Sequence, residues 1–489
     1  MKRWICLAAV MMSVVSVQAG PVGWRGDGSG VFSKTTPATE WSPTQNVVWK
    51  TKMPDWSNAT PVIVGDKIFV MSEPDVLICC DVKSGKILWQ KTSGILESFG
   101  PEEAASAQAK MKSLDIEGKK KELDELRKQI RKVGGPAWRL GRKKKGLEKK
   151  LKDADAEKTK KLKAQISEID ADIEESKKKV APLRKQEKEL QAVIAPFEKY
   201  FPSRKHGTTG YTSPSPVSDG KNVYIVTGNG VAACYDLSGD RKWITHVGTP
   251  REGWGFSTSP LLADGKLLVN LGAVAIDVKT GKIAWSHPPY RGLPWGTGCL
   301  ITVGGENLWL TPDGKIYRIS DGKMLAEKQA YTQYNGLIQN EGVVYFVQNG
   351  GKAVMLPAKA KEGMKLAPKY TFKMDNNRYY ASPVLYDGRI YAITRYCQFT
   401  VTEAATGKVL STRKLDELQA KGVNIYPSIC VAGDRLFISN DAGTTLVMTP
   451  GGEPFLEETN SLEDFRSTPI FQGGRMYIRG LKHLWCIGK

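Results

Sequence analysis

Aromatic rings interleaved with arginines are the residues of this chain best suited to hold a ligand. Trp56, Tyr211, Trp254, Phe256, Trp295, Tyr334, Tyr380 and Tyr426 recur along the sequence, with His206, Arg251, Arg291, Asn335, Arg378 and Arg466 set among them. Flat apolar faces beside guanidinium and amide donors suit a sugar, a planar quinone or an extended peptide. The competing reading is that such rings cap gaps between packed elements and bury area, as aromatic side chains usually do. The arginines favour binding, because packing alone does not call for charge.

Other chemistry has no comparable signature. His206, His246, His287 and His483 are scattered, without the close spacing of a metal site. No Ser-His-Asp set, glycine-rich phosphate loop, paired carboxylates, Cys-x-x-Cys-His haem site or calcium-ligand set stands out. The reading therefore assigns no catalytic and no metal-ligating residue.

The elements that must position the aromatic set are visible in a repeated phrase. Residues 275–285 read AIDVKTGKIAW, a strand, a tight turn and a second strand. Gly281 can take the positive φ that the turn requires, and Ile283 and Trp285 share one face of the following strand. The phrase returns at 79–89 as CCDVKSGKILW and in looser form at 234–243 and 401–411. Around it lie short apolar strands whose openings fall near Pro61, Pro216, Pro260, Cys299, Leu337, Pro383, Ser428 and Pro469, many of them small or Ser-Pro. From Pro216 onward the spacing is roughly 40 residues, and four short strands in such a period predict one propeller blade. The last blade runs out after three strands, while Val47, Val48, Trp49 and Lys50 form an orphan strand near the N-terminus. Pairing the two would complete the ring and remove its open edges. The aromatic set falls within about five residues of the blade openings, all on one face.

The resemblance this carries is to the pyrroloquinoline-quinone (PQQ)-like, tryptophan-docking β-propellers. Ala275, Asp277, Thr280, Gly281 and Trp285 match the docking repeat in full, and Cys79, Asp81, Ser84, Gly85 and Trp89 match with small-residue substitutions. The family includes PQQ-dependent dehydrogenases and the propeller lipoprotein of the outer-membrane protein assembly machine. The resemblance therefore implies two possible roles, and a possible PQQ with calcium in the propeller mouth. It also brings to mind the vicinal disulfide that PQQ-dependent alcohol dehydrogenases stack on the cofactor, for which Cys79-Cys80 is the only adjacent pair. Adjacent strand residues point to opposite faces, so these two read as buried thiols.

One segment breaks the repeat. Residues 101–200 hold 28 basic and 19 acidic side chains, a large part of the excess behind the net charge of +20. Ile166, Ile169, Ile173, Val180, Leu183, Leu190 and Ile194 fit a seven-residue apolar repeat, as do Leu123, Leu126, Ile130 and Val133. Gly134-Gly135-Pro136 is the predicted break between two helices. The charge suits a solvated face, or an arm that docks a partner protein or an anionic envelope surface.

The first residues resemble a secretion signal: Lys2 and Arg3, an apolar run from Ile5 to Val17, then Val17-Gln18-Ala19 for cleavage, with no lipoprotein cysteine following. Export makes nucleic acid an improbable partner and permits disulfides. The remaining cysteines, Cys79, Cys80, Cys234, Cys299, Cys397, Cys430 and Cys486, are odd in number and match no zinc or haem spacing.

The expectation is an all-β fold, an eight-bladed β-propeller closed by the N-terminal strand, with an inserted α-helical antiparallel coiled-coil hairpin. Its parts are a signal peptide (1–19), a lead-in, closing strand and first blade (20–95), the hairpin (96–204) and the remaining blades (205–489). The expected function is a non-catalytic, periplasmic or secreted, monomeric binding or scaffold protein for an envelope or secreted protein or a glycan. It would not span the membrane, and no cofactor is expected. The alternative is a quinoprotein-like oxidoreductase using PQQ and calcium.

Overall fold

A computed structural model describes residues 21–203, 205–250, 253–289 and 292–488. The expected signal segment, Arg251 and Arg291 lie outside the described residues. The chain forms two compact units, Phe99–Pro202 and the remainder.

Among the described residues the larger unit is built of eight sheets in chain order, antiparallel except for one lead-in strand, the β-propeller pattern. Seven take four consecutive strands each, the seventh gaining a fifth from the lead-in. The eighth has three strands from the C-terminal end, and its fourth is Val47–Lys52, antiparallel to His483–Ile487. The orphan strand and the short last blade thus complete each other, as expected. The lead-in had no predicted role. Val31–Phe32 pairs parallel to Val431 and Ala432 of the seventh sheet's first strand, and Val22 bridges to Ser218 in the second sheet.

The repeated phrase explains how the sheets dock. In the first sheet Asp81 Oδ1 accepts from Ser84 N (2.7 Å) and Ser84 Oγ (2.6 Å). In the third, Asp277 Oδ1 accepts from Thr280 N and Oγ1, both at 2.8 Å. These Asx-type bonds hold the turn and place Gly281 at φ 71°. On four of the eight fourth strands a tryptophan then lies on the next sheet's turn. Trp49 Nε1 donates to Val82 O (3.1 Å), Trp89 to Leu237 O (3.2 Å), Trp243 to Val278 O (2.8 Å) and Trp285 to Ile319 O (2.9 Å). The glycine is needed twice over, because a Cβ on Gly281 would come 2.5 Å from Trp243 Cγ. Farther along, Tyr370 takes the tryptophan's place, its hydroxyl donating to Ala404 O at 3.0 Å.

Apolar clusters fill the gaps between consecutive sheets. One joins Val70 and Ile78 of the first sheet to Tyr477 and Cys486 of the eighth, and another joins Phe69 and Cys79 to Ile225 and Tyr235 of the second. Cys79 and Cys80 therefore face opposite sides of their strand. Both are free, and burial pushes each thiol up to about 12.

The smaller unit contains α1 (Pro101–Ser113), α2 (Ile116–Leu151) and α3 (Ala156–Ile194). α2 and α3 form an antiparallel hairpin: Arg127 pairs with Glu187 and Lys144 with Asp170, so numbering rises along one helix as it falls along the other. Leu123, Leu126 and Ile130 pack with Leu190 and Ile194. The expected break at Gly134-Gly135-Pro136 is not there, and α2 runs straight through it. Pro136 removes one N–H and crowds the preceding turn, and α3 contributes a compensating bond there, Ser176 Oγ donating to Val133 O at 3.1 Å. The chain reverses at 152–155 instead, where Asp155 caps α3 by accepting from Lys158 N at 2.8 Å.

Candidate functional site

First strands of neighbouring sheets lie against one another, as between the first and second sheets and the second and third. The residues that open these strands therefore converge. They form a collar of hydroxyls. Thr60 N donates to Ser215 Oγ (2.9 Å), Ser215 N to Ser259 Oγ (3.0 Å) and Ser259 N to Thr297 Oγ1 (3.2 Å). The series resumes with Gly336 N to Ser382 Oγ (2.8 Å), Ser382 N to Ser428 Oγ (3.2 Å) and Ser428 N to Thr468 Oγ1 (3.1 Å). Six of the eight opening amides are thus satisfied by the next sheet's hydroxyl, and each of these hydroxyls keeps its own O–H to donate. One interruption, after Thr297, falls at Gly336, which has no side chain. A Cβ there would collide with the indole of Trp24.

Trp24 lines the same cavity as the collar. The next residue, Arg25, is fully buried, donates Nη2 to Ile429 O at 2.8 Å and stacks 5.2 Å from the Trp24 ring. Desolvation lowers its pKa.

Above the collar the cavity, about 320 Å³, is walled by aromatic rings. Trp295 and Tyr334 stack at 5.6 Å and 2°, Tyr380 and Tyr426 at 5.2 Å and 16°, and Tyr334 meets Tyr380 edge-on at 5.2 Å. His206 lies 4.6 Å from the exposed Trp254. Its Nδ1 accepts from Thr208 N and Thr209 N, both at 3.3 Å, which leaves the ring proton on Nε2. Arg378 sits 5.6 Å over Tyr334 and donates to Tyr380 Oη at 3.2 Å, and Arg395 donates to the same oxygen at 3.3 Å. Burial alone would raise the Tyr380 pKa, but these two guanidinium bonds outweigh it and hold the phenol below its ordinary value. Arg466 donates to Thr208 O at 3.4 Å, and its Nε is buried without a hydrogen-bond partner. Among the described residues the wall carries no carboxylate.

Of the residues singled out in the sequence, His206, Trp254, Trp295, Tyr334, Arg378, Tyr380, Tyr426 and Arg466 meet at this cavity. Four others lie behind it. Trp56 stacks under Arg466 at 5.9 Å and Lys205 at 5.0 Å. Tyr211 donates its hydroxyl to Ser203 O at 2.5 Å, and Phe256 packs in the core between the second and third sheets. Asn335 is buried, with Nδ2 donating to Val347 O at 3.0 Å and Tyr379 O at 3.3 Å.

The sequence reading missed the collar, Trp24, Arg395 and the loop anchor Glu73. Glu73 Oε1 accepts from Tyr211 N (2.7 Å), Thr212 N (2.8 Å) and Thr212 Oγ1 (2.7 Å). Lys205 Nζ lies 3.1 Å from Oε2, as an ion pair rather than an aligned hydrogen bond. The Ser-Pro openings were the only available signal for the collar.

Calcium asks for six or more oxygen ligands, several of them carboxylate. The described wall offers hydroxyls, rings and guanidinium groups, and among the described residues no three His, Cys, Asp or Glu side chains gather as a metal site. Cys79 and Cys80 are held apart on opposite faces of their strand. These residues do not fit a calcium-held quinone.

Residues 16–108 and 202–450 match a family model described as outer membrane protein assembly factor BamB. Among solved structures, a europium-containing methanol dehydrogenase is 10% identical over 92% of this chain and 88% of its own, with a TM-score of 0.50. The computationally designed Ika8 protein is 9% identical over 90% of this chain and 100% of its own, also at 0.50. BamB from Moraxella catarrhalis is 11% identical over 55% of this chain and 82% of its own, at 0.43. At these identities the likeness is one of fold. Among curated proteins, none matches the chain in sequence.

Proposed function

For a chain that belongs to the PQQ-like repeat family described as outer membrane protein assembly factor BamB, we propose an exported, non-catalytic binding protein. Its eight sheets form a closed ring, and its aromatic cavity holds part of a protein or glycan partner. The observation that carries the reading is the composition of the wall. Stacked rings and two arginines sit over a collar of hydroxyls, and among the described residues of the wall no carboxylate accompanies the lone histidine. Rings supply flat apolar area, hydroxyls supply short polar contacts, and the guanidinium groups attract negative or carbonyl-rich groups. Nothing in this set pairs a nucleophile with a base. The match to the family model, and a leader of the exported type, support the location.

The test is a thermal melt with soluble oligosaccharides and extended peptides, and separately with PQQ plus calcium. A ligand at a hundred times its dissociation constant stabilises by about 2.7 kcal/mol. A shift with an oligosaccharide or peptide that disappears in Trp295→Ala and Tyr380→Ala is the expected result. A shift with PQQ and calcium alone would overturn it in favour of an oxidoreductase.

A further inference from the structure

The hairpin carries a second surface, independent of the cavity. Residues 138–163 hold twelve basic and four acidic side chains, whereas the rest of 101–200 holds sixteen and fifteen. The excess charge is therefore concentrated at the end where the hairpin turns. Within 138–163, Lys144 pairs with Asp170 and Glu148, and Lys161 with Glu157. Away from the turn, Arg127 and Arg184 bond Glu187, Lys177 bonds Glu174, and Lys199 bonds Glu103. Near the turn, Trp138, Arg142, Lys145, Lys149 and Lys152 are all exposed. Their spacing of four and three residues puts them in one line along the exposed face of α2, with Lys152 at its C-terminal cap, about 21 Å long. Arg139, Lys143 and Lys150 run beside that line and are also exposed. None of these eight makes an ion pair among the described residues.

Trp138 is the informative member. It is 65% exposed, the second most exposed large hydrophobic side chain among the described residues, and Arg142 lies 5.1 Å from its ring. A single exposed indole is ordinary on a protein surface, but this one heads a line of exposed cations on the same helix. An indole beside a line of Lys and Arg is the pattern of a helix lying in the headgroup region of a bilayer, with the ring at the interface and the cations on anionic lipids. Among the described residues no helix is long and apolar enough to cross a membrane, so such contact would be at the surface.

We propose that the Trp138–Lys152 face of α2 binds anionic lipid bilayers, with Trp138 entering the interface and Arg142, Lys145 and Lys149 neutralising headgroups. A straight line of unpaired cations matches a plane of lipid charge. Duplex nucleic acid is the competing polyanion, and the experiment separates the two.

The full chain is sedimented with vesicles of phosphatidylcholine alone, or of phosphatidylcholine with one third phosphatidylglycerol, at low and high salt. Tighter binding to the anionic vesicles, by at least about a hundred-fold, and release by salt are expected. Each basic group at such a surface is worth about five-fold, so R142Q/K145Q/K149Q loses at least about a hundred-fold. W138A loses about ten-fold through its lost interfacial area. The melting temperatures stay at the wild-type value, because these side chains make no ion pairs and are exposed. Equal binding to both vesicle types, or wild-type binding by the folded triple variant, overturns the proposal. So does unchanged binding by W138A together with full displacement by duplex DNA, which would make the surface a general polyanion site.

Discussion

Glu73 is where a single side chain holds the cavity's loop in place, and its replacement has a calculable effect. Its carboxylate is wholly buried. Tyr211 N and Thr212 N donate to it, both on buried residues. Glu73→Ala strands these two amides, at about 1–3 kcal/mol each. Lys205, 38% exposed, recovers water and adds little. The variant should lose about 2–6 kcal/mol of local stability. Glu73→Gln keeps a carbonyl for the amides and loses only the charge, so about 1–2 kcal/mol is expected. Two-state unfolding is a poor measure for a chain of two units, so the assay is amide hydrogen exchange at Tyr211 and Thr212. Exchange should quicken in the order wild type, Gln, Ala. His206, Thr208, Thr209 and Ser213 line the cavity from the same loop, and ligand affinity should fall in that order too. Wild-type exchange at both amides in Glu73→Ala would refute the argument, because the loop would then be held by something other than this carboxylate.

Four further outcomes are expected. Gly281 and Gly265 have nearly equal φ, 71° and 70°, but a Cβ meets Trp243 only at Gly281 and nothing within 4 Å at Gly265. Chemical unfolding should show Gly265→Ala losing about 1 kcal/mol for the left-handed backbone, and Gly281→Ala about 1–3 kcal/mol more for the collision. Burial pushes the thiols of Cys234, Cys299 and Cys430 up to about 12 and those of Cys397 and Cys486 up to about 11. Together with Cys79 and Cys80 they should resist a thiol reagent at neutral pH until the protein is unfolded. An absorbance titration should find one phenol ionising ahead of the rest, absent in Tyr380→Phe and moved upward in Arg378→Gln. Burial alone would raise the Glu463 pKa, but bonds from His483 Nδ1 and the amides of Lys482 and His483 hold it below the usual carboxylate value. Its stabilisation is complete above the unfolded value of about 4.3 and is lost as pH falls through the lower folded value. Stability measured from pH 6 downward should therefore fall less steeply in Glu463→Gln.

The docking phrase was legible because its information is local. Asp277, Thr280 and Gly281 form one turn within five residues, so identity and spacing suffice. The strand at Val47–Lys52 was legible for a different reason: a three-stranded last sheet leaves an unsatisfied edge, and only one strand was left over to fill it. The hairpin turn was misplaced because Gly-Gly-Pro breaks a lone helix, whereas here α3 bonds α2 beside it, Ser176 Oγ to Val133 O, and α2 runs through.

The cavity was half legible, and the missing half follows from how it is made. Rings and arginines announce themselves by type. The collar does not, because Ser215, Ser259 and Ser382 are ordinary residues of the strand openings, and their meaning lies in a bond to a residue about 40 positions away. Trp24 is less accessible still. Its place depends on Gly336, more than 300 residues along, having no side chain. That pairing is itself testable by Gly336→Ser. The substitution supplies the hydroxyl missing from the collar but puts a Cβ where the indole lies, and the collision outweighs one hydrogen bond of about 1 kcal/mol. Trp24 should be displaced and its fluorescence altered, with the cavity enlarged rather than the collar completed. Unchanged Trp24 emission in a stable Gly336→Ser protein would mean that the ring and the glycine are not matched.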